Sequence, residues 1–130
     1  MLPIEYSKAF YAGRAELLES YKSDSPTGYA DLLRRTLDMV NAKIDDCDDF
    51  DGDKFDTDRI KSVSVGDYQG SLYFIIPADS YSEGAFTACV SYGSCSHCDA
   101  FEACEGCDDG PDYEGYVRLS LHLFQSLKPV

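Results

Sequence analysis

Between Asp45 and Asp58 the chain sets eight aspartates against one base, Lys54, and between Asp99 and Glu114 it sets seven carboxylates against none. Unpaired carboxylates are too costly to take out of water, so the runs are expected to stay exposed and the segments between them to fold. Residues 1 to 44 carry six acidic and six basic side chains, and the net charge of −13 comes wholly from the rest. At 130 residues with 44% hydrophobic content, one hydrophobic core and a single domain over 1–130 are expected.

The apolar periodicity predicts the elements. Phe10, Ala15, Leu17, Leu18 and Tyr21 recur at helical steps between Tyr6 and Lys22. Ser25-Pro26-Thr27 offers an N-cap and a first-turn proline ahead of a second stripe, Tyr29, Leu32, Leu33, Thr36, Leu37, Val40 and Ile44. The aspartate run that follows, with its Asp51-Gly52 turn, reads as an exposed loop. Ile60 to Val65 and Leu72 to Ile76 flank Gly66-Asp67-Tyr68-Gln69-Gly70 as a hairpin, the second strand ending at Pro77. A third strand over Ala85–Tyr92 follows from Phe86, Ala88 and Val90 alternating with Thr87, Cys89 and Ser91. Residues 116 to 127 fit either period, and their length without a breaker favours a helix over a strand. The expected architecture is α+β: an N-terminal helical pair, a small antiparallel β-meander, a Cys-rich loop or short helix, and a C-terminal helix.

Six cysteines in a chain without the basic flank and apolar run of an export signal point to reduced thiols or a metal rather than a disulfide framework, and to a cytoplasmic location. No stretch approaches the roughly 20 apolar residues of a membrane helix. Cys95-Ser96-His97-Cys98 and Cys104-Glu105-Gly106-Cys107 form two CxxC pairs whose thiolates, Cys95, Cys98, Cys104 and Cys107, can close on one zinc ion. The five-residue gap between the pairs is short, and His97, Cys47 or Cys89 are substitute ligands. The spacing does not match that of a bacterial ferredoxin cluster. Cys95 and Cys98 after a strand also suit a redox pair, although Asp99, Glu102 and Glu105 favour the thiol over the thiolate. Packing as small apolar side chains is the plain alternative.

Asp49-Phe50-Asp51-Gly52-Asp53 approaches a calcium-loop pattern, but alignment on Gly52 puts Cys47 at the first ligand position, Lys54 at the eighth and Asp58 at the twelfth, which argues against specific calcium binding. His97 and His122 are the only histidines, and no hydrolase elbow, zincin helix or phosphate loop is present, so no catalytic residue is assigned.

The acidity itself suggests a role. Asp45, Asp46, Asp48, Asp49, Asp51, Asp53, Asp56 and Asp58, with Asp99, Glu102, Glu105, Asp108, Asp109, Asp112 and Glu114, can imitate the spaced charges of a nucleic-acid backbone, with Phe50, Phe55, Tyr113 and Tyr116 as apolar anchors. The expected partner is a basic, nucleic-acid-binding protein, the two runs sharing one face. Direct nucleic-acid binding is disfavoured, because it demands clustered Lys and Arg. Solubility alone is the competing explanation of the charge.

Gly66-Asp67-Tyr68-Gln69-Gly70 and Tyr92-Gly93-Ser94-Cys95-Ser96-His97-Cys98-Asp99 resemble a G-D-Y-Q-G and Y-G-S-C-S-x-C-D pattern of small uncharacterised tailed-bacteriophage proteins, over roughly the middle third of the chain. The pattern carries Cys95, Cys98 and Asp99 and does not extend to Cys104 and Cys107. The resemblance implies infected bacterial cytoplasm and an accessory role. Small acidic phage proteins include DNA mimics that block restriction enzymes, CRISPR effectors or host nucleic-acid-binding proteins. A zinc-stabilised or thiol-redox module is the second expectation.

Overall fold

A computed structural model describes residues 4–45, 54–66, 70–79, 84–92 and 111–129. They form an α+β structure in which three helices cover one face of an antiparallel sheet.

Helix α1 (Ile4–Ser23) buries Tyr6, Ala9, Phe10, Gly13, Leu17 and Tyr21, a stripe advancing by three and four residues. Ala15, expected on that stripe, lies two residues off it and is exposed; Leu18 is half-buried. Helix α2 (Tyr29–Asp45) buries every apolar position of the stripe expected for it. It starts later than the Ser25-Pro26 signal suggests. The Gly28 carbonyl accepts the first helical bond, from the Leu32 N–H, and the Asp31 carboxylate accepts from the Thr27 N–H. A side chain in the helix's own first turn thus reaches back to the N–H of the turn that leads into it. Gly13 faces α2, where a Cβ would run into the Met39 side chain.

The sheet is built on the long strand β3 (Gly70–Asp79). Strand β4 (Ala85–Tyr92) pairs along one edge, from Pro77↔Ala85 to Gly70↔Tyr92, and carries the two-residue β5 (Lys128–Pro129) outside it. Two strands share the other edge: β1 (Lys54–Phe55) opposite Asp79 and Ala78, and β2 (Lys61–Gly66) opposite Ile75 to Gly70. The expected meander is β2-β3-β4, with Gly66 at a positive φ of 117° entering its first turn.

Two expectations for this region need correction. β3 runs through Pro77 rather than ending there. The Pro77 carbonyl accepts from the Asp56 N–H on the β1–β2 side, so its missing N–H falls in the gap between those two edge strands and breaks no ladder bond. The acidic stretch is also not loop throughout, since Lys54–Phe55 is a strand and Thr57–Arg59 one 3-10 turn.

Strand alternation sends Phe74, Ile76 and Ala78 of β3 and Phe86, Ala88 and Val90 of β4 inward. Helix α3 (Tyr113–Gln125) resolves the ambiguous C-terminal segment as helical; it begins three residues earlier than expected and stops two short. Its Phe124 stacks on Phe10 at 5.4 Å, while Tyr116 meets Tyr21 at 5.9 Å, so α3 runs antiparallel to α1. The Tyr21 hydroxyl shares a 2.6 Å hydrogen bond with Ser120 Oγ inside this contact. Tyr6, Phe55 and Phe86 form a second aromatic group between α1 and the sheet. The Cys-rich segment expected as a loop or short helix lies outside the described residues.

Candidate functional site

Five of the fifteen carboxylates expected to meet a partner fall within the described residues: Asp45, Asp56, Asp58, Asp112 and Glu114. Four have basic neighbours. Asp45 pairs with Lys54, Asp56 with Arg59 at 3.5 Å, Asp112 with Arg118 at 3.1 Å and Glu114 with Arg14 at 3.8 Å. Asp112 is also the N-cap of α3, accepting from the Gly115 N–H at 2.9 Å. Asp58 is exposed and has no ion pair among the described residues. Asp46, Asp48, Asp49, Asp51, Asp53, Asp99, Glu102, Glu105, Asp108 and Asp109 lie outside them.

The anchors expected beside these charges require correction. Phe55 and Tyr116 are each 1% exposed and belong to the core, so neither can insert into a partner. Phe55 is held there because its backbone N–H and C=O both bond the Asn41 side chain, at 2.9 and 2.8 Å. Tyr113 is half-buried against Tyr116.

The described flanks of the two acidic segments sit at opposite ends of the fold. Asp45 and Lys54, which bracket 46–53, meet in an ion pair at the Asp79 end of β3. Tyr92, which leads into 93–110, pairs with Gly70 at the other end. β3 spans ten residues, and at about 3.3 Å per residue the two ends stand about 30 Å apart. The chain leaving helix α3 delivers Lys128 beside Thr87, which pairs with Ile75 midway along β3. Ten of the fifteen carboxylates of the expected shared face lie outside the described residues.

Charge is divided just as sharply. The two acidic runs, Asp45 to Asp58 and Asp99 to Glu114, hold fifteen of the 24 carboxylates and one base, Lys54, while the rest of the chain holds nine carboxylates and ten bases. Among the described residues, eight of the eleven bases, all but Lys8, Lys61 and Lys128, form ion pairs.

Buried Asp31 is the centre of the strongest such group. Arg34 and Arg35 each approach its carboxylate at 2.9 Å, and Arg35 also bonds the Asp24 carbonyl at 2.6 Å. Burial pushes the Asp31 carboxyl up, but the Thr27 N–H and the two guanidiniums outweigh it and hold the group below its ordinary value. Sequence reading missed Asp31 as a structural centre, although an aspartate followed by arginines three and four residues later on a helix is the signal for it.

Beside this group an open cleft of about 330 Å³ lies between the start of α2 and the β2 edge, with Arg34, Asp58, Ser62 and Phe74 in its wall. That is near the lower limit for a small-molecule site, and among the described residues neither a histidine nor a cysteine lines it. His122 is exposed on α3. Cys95, Cys98, Cys104, Cys107, Cys47 and His97 are outside the described residues. Cys89 is exposed and free on β4, and no cluster of three His, Cys, Asp or Glu suited to a metal occurs among the described residues. None of the described helices is long and apolar enough to cross a membrane. Compared with known proteins, the chain matches no family model, no curated protein and no solved structure.

Proposed function

We propose that the protein is a non-enzymatic acidic binding protein that occupies a basic, nucleic-acid-binding surface of a host or defence protein. The division of charge carries this reading. A chain that is close to neutral elsewhere, with most of its bases already paired, concentrates fifteen of its 24 carboxylates in two runs that contain one base, Lys54. Solubility needs no such segregation, since mixed surface charge achieves it. Concentrated negative charge raises the encounter rate with a basic surface and excludes nucleic acid from it. The phage resemblance supplies the setting, an inhibitor or adaptor of the DNA-mimic type, such as an anti-restriction or anti-CRISPR protein, in bacterial cytoplasm.

The test is competition. The immobilised protein is expected to retain a basic bacterial or defence protein at low salt and to release it to duplex DNA or to moderate salt, because exposed charge pairing is screened over about 8 Å at physiological ionic strength. Retention that neither DNA nor salt reverses would overturn the proposal.

A further inference from the structure

The cleft beside α2 is not explained by acidic binding, and it exists because β2 is turned inside out. Register sets Ser62 and Ser64 opposite Phe74 and Leu72, on the side of the sheet that the helices cover, while Val63 and Val65 point to the other side. On the covered side β3 and β4 carry the buried Phe74, Ile76, Phe86, Ala88 and Val90. All six residues of β2 are exposed, so no helix roofs this strand, and the gap between α2 and β2 stays open as the cleft of about 330 Å³. A strand that only completed the core would carry its valines where its serines stand.

The cleft holds one charge of each sign, on different elements. Arg34, on α2, gives one Nη to Asp31 at 2.9 Å, and with 58% of its side chain exposed it keeps its other donors for a further acceptor. Asp58, on the 3-10 turn, is exposed and has no ion pair among the described residues, so Arg34 does not neutralise it. Thr27 and Ser62 add hydroxyls, and Ile60 and Phe74 an apolar wall. A simple anion at Arg34 would meet the charge of Asp58, and a simple cation at Asp58 would meet that of Arg34. Only a ligand bearing both charges is matched by both. We propose that the cleft binds a small zwitterion, an α-amino acid with an apolar side chain, its carboxylate on the free donors of Arg34, its ammonium on Asp58 and its side chain against Ile60 and Phe74. The size agrees. Taken as a sphere, the cleft is about 9 Å across. An ammonium and a carboxylate joined through one Cα, with a charge-assisted hydrogen bond at each end, span about 8 to 9 Å. This site goes beyond the binding of a basic protein and does not depend on it.

Amide NMR titration of the full chain with L-leucine and with L-valine tests this. At least one of them should shift the amides of Thr57 to Ser62 saturably, with a midpoint between about 0.1 and 1 mM, as suits so small a ligand in an open cleft. The amide of that amino acid, which lacks the carboxylate, and its N-acetyl derivative, which lacks the ammonium, should each bind about tenfold more weakly or worse. Asp58→Asn alters an exposed side chain without an ion pair among the described residues; it should leave the melting curve unchanged and weaken the amino acid about tenfold. Ser62→Val puts a residue that strands favour into the cleft and should abolish the shifts in a folded protein. Absence of saturable shifts from both amino acids up to about 10 mM overturns the proposal. So does a blocked form that binds as tightly as the free amino acid, or binding that Asp58→Asn leaves at wild-type strength.

Discussion

A single buried carboxylate that serves two arginines ties the turn before α2 to the helix. Asp31 accepts from Thr27, Arg34 and Arg35, and Arg35 carries the link on to Asp24 at the end of α1. Removing the charge leaves two guanidiniums without their acceptor, so Asp31→Asn should cost about 1 to 3 kcal/mol at pH 7, less than a fully buried pair because the arginines keep some solvent. The sign of the pH dependence follows from the depressed Asp31 value. Stabilisation is complete above the unfolded carboxyl value of about 3.9 and is lost as pH falls through the lower folded one. Urea unfolding at pH 7 and again near pH 2.5 should therefore show the deficit of Asp31→Asn shrinking in acid. A deficit of constant size would mean that the carboxylate's charge does not matter. The cysteines give a second expectation at this scale: purified protein should carry about one zinc per chain through Cys95, Cys98, Cys104 and Cys107, with Cys98→Ser lowering both metal content and melting temperature. Elemental analysis of protein prepared without chelator decides it, and metal-free protein rejects the site.

Elements with one buried stripe could be read directly from the chain. In α2 the spacing of Leu32, Leu33, Leu37, Val40 and Ile44 admits only a helix, and in β4 Phe86, Ala88 and Val90 admit only a strand half covered by helices. Helix α3 was harder because Val117, Leu119, Leu121 and Leu123 satisfy both periods. Its true start is marked by Asp112, whose side chain bonds the Gly115 N–H, and a cap three residues before a glycine is easily hidden in an acidic run. β1 was not legible, because Phe55 sits among aspartates and its burial depends on Asn41, a contact across fourteen residues that no local pattern encodes. The acidic site was legible only as composition: sequence shows how many carboxylates lack bases, but the ion pairs of Asp45, Asp56, Asp112 and Glu114 depend on tertiary neighbours. The cap separates structure from function at Asp112. Asp112→Ala should cost about 1 kcal/mol in thermal or urea melts, while Asp112→Asn, an equally good cap, should cost little. Equal losses from both would assign the effect to the exposed pair with Arg118 instead, although such pairs contribute only a few tenths of a kcal/mol.

For the molecule as a whole, fifteen carboxylates crowded into two runs with a single base, Lys54, bear on both stability and binding. Crowded like charges repel one another, so changing Asp48, Asp49, Asp51 and Asp53 together to asparagine should leave the protein folded and raise its stability by up to about 1 kcal/mol at low ionic strength. The gain should fade as salt is added, because the screening length falls from about 30 Å at 0.01 M to about 3 Å at 1 M. Partner binding should move the other way, weakening on the order of tenfold at low salt and losing part of its salt dependence, since a basic surface then meets fewer charges. A melting series and a binding series over the same salt concentrations distinguish the outcomes. Binding that matches wild type at every salt concentration would remove these aspartates from the interface and reduce the run to a solvated loop. Loss of the folded state would instead indicate a cation held by the carboxylates, because only a bound ion makes their charge a requirement of the native structure.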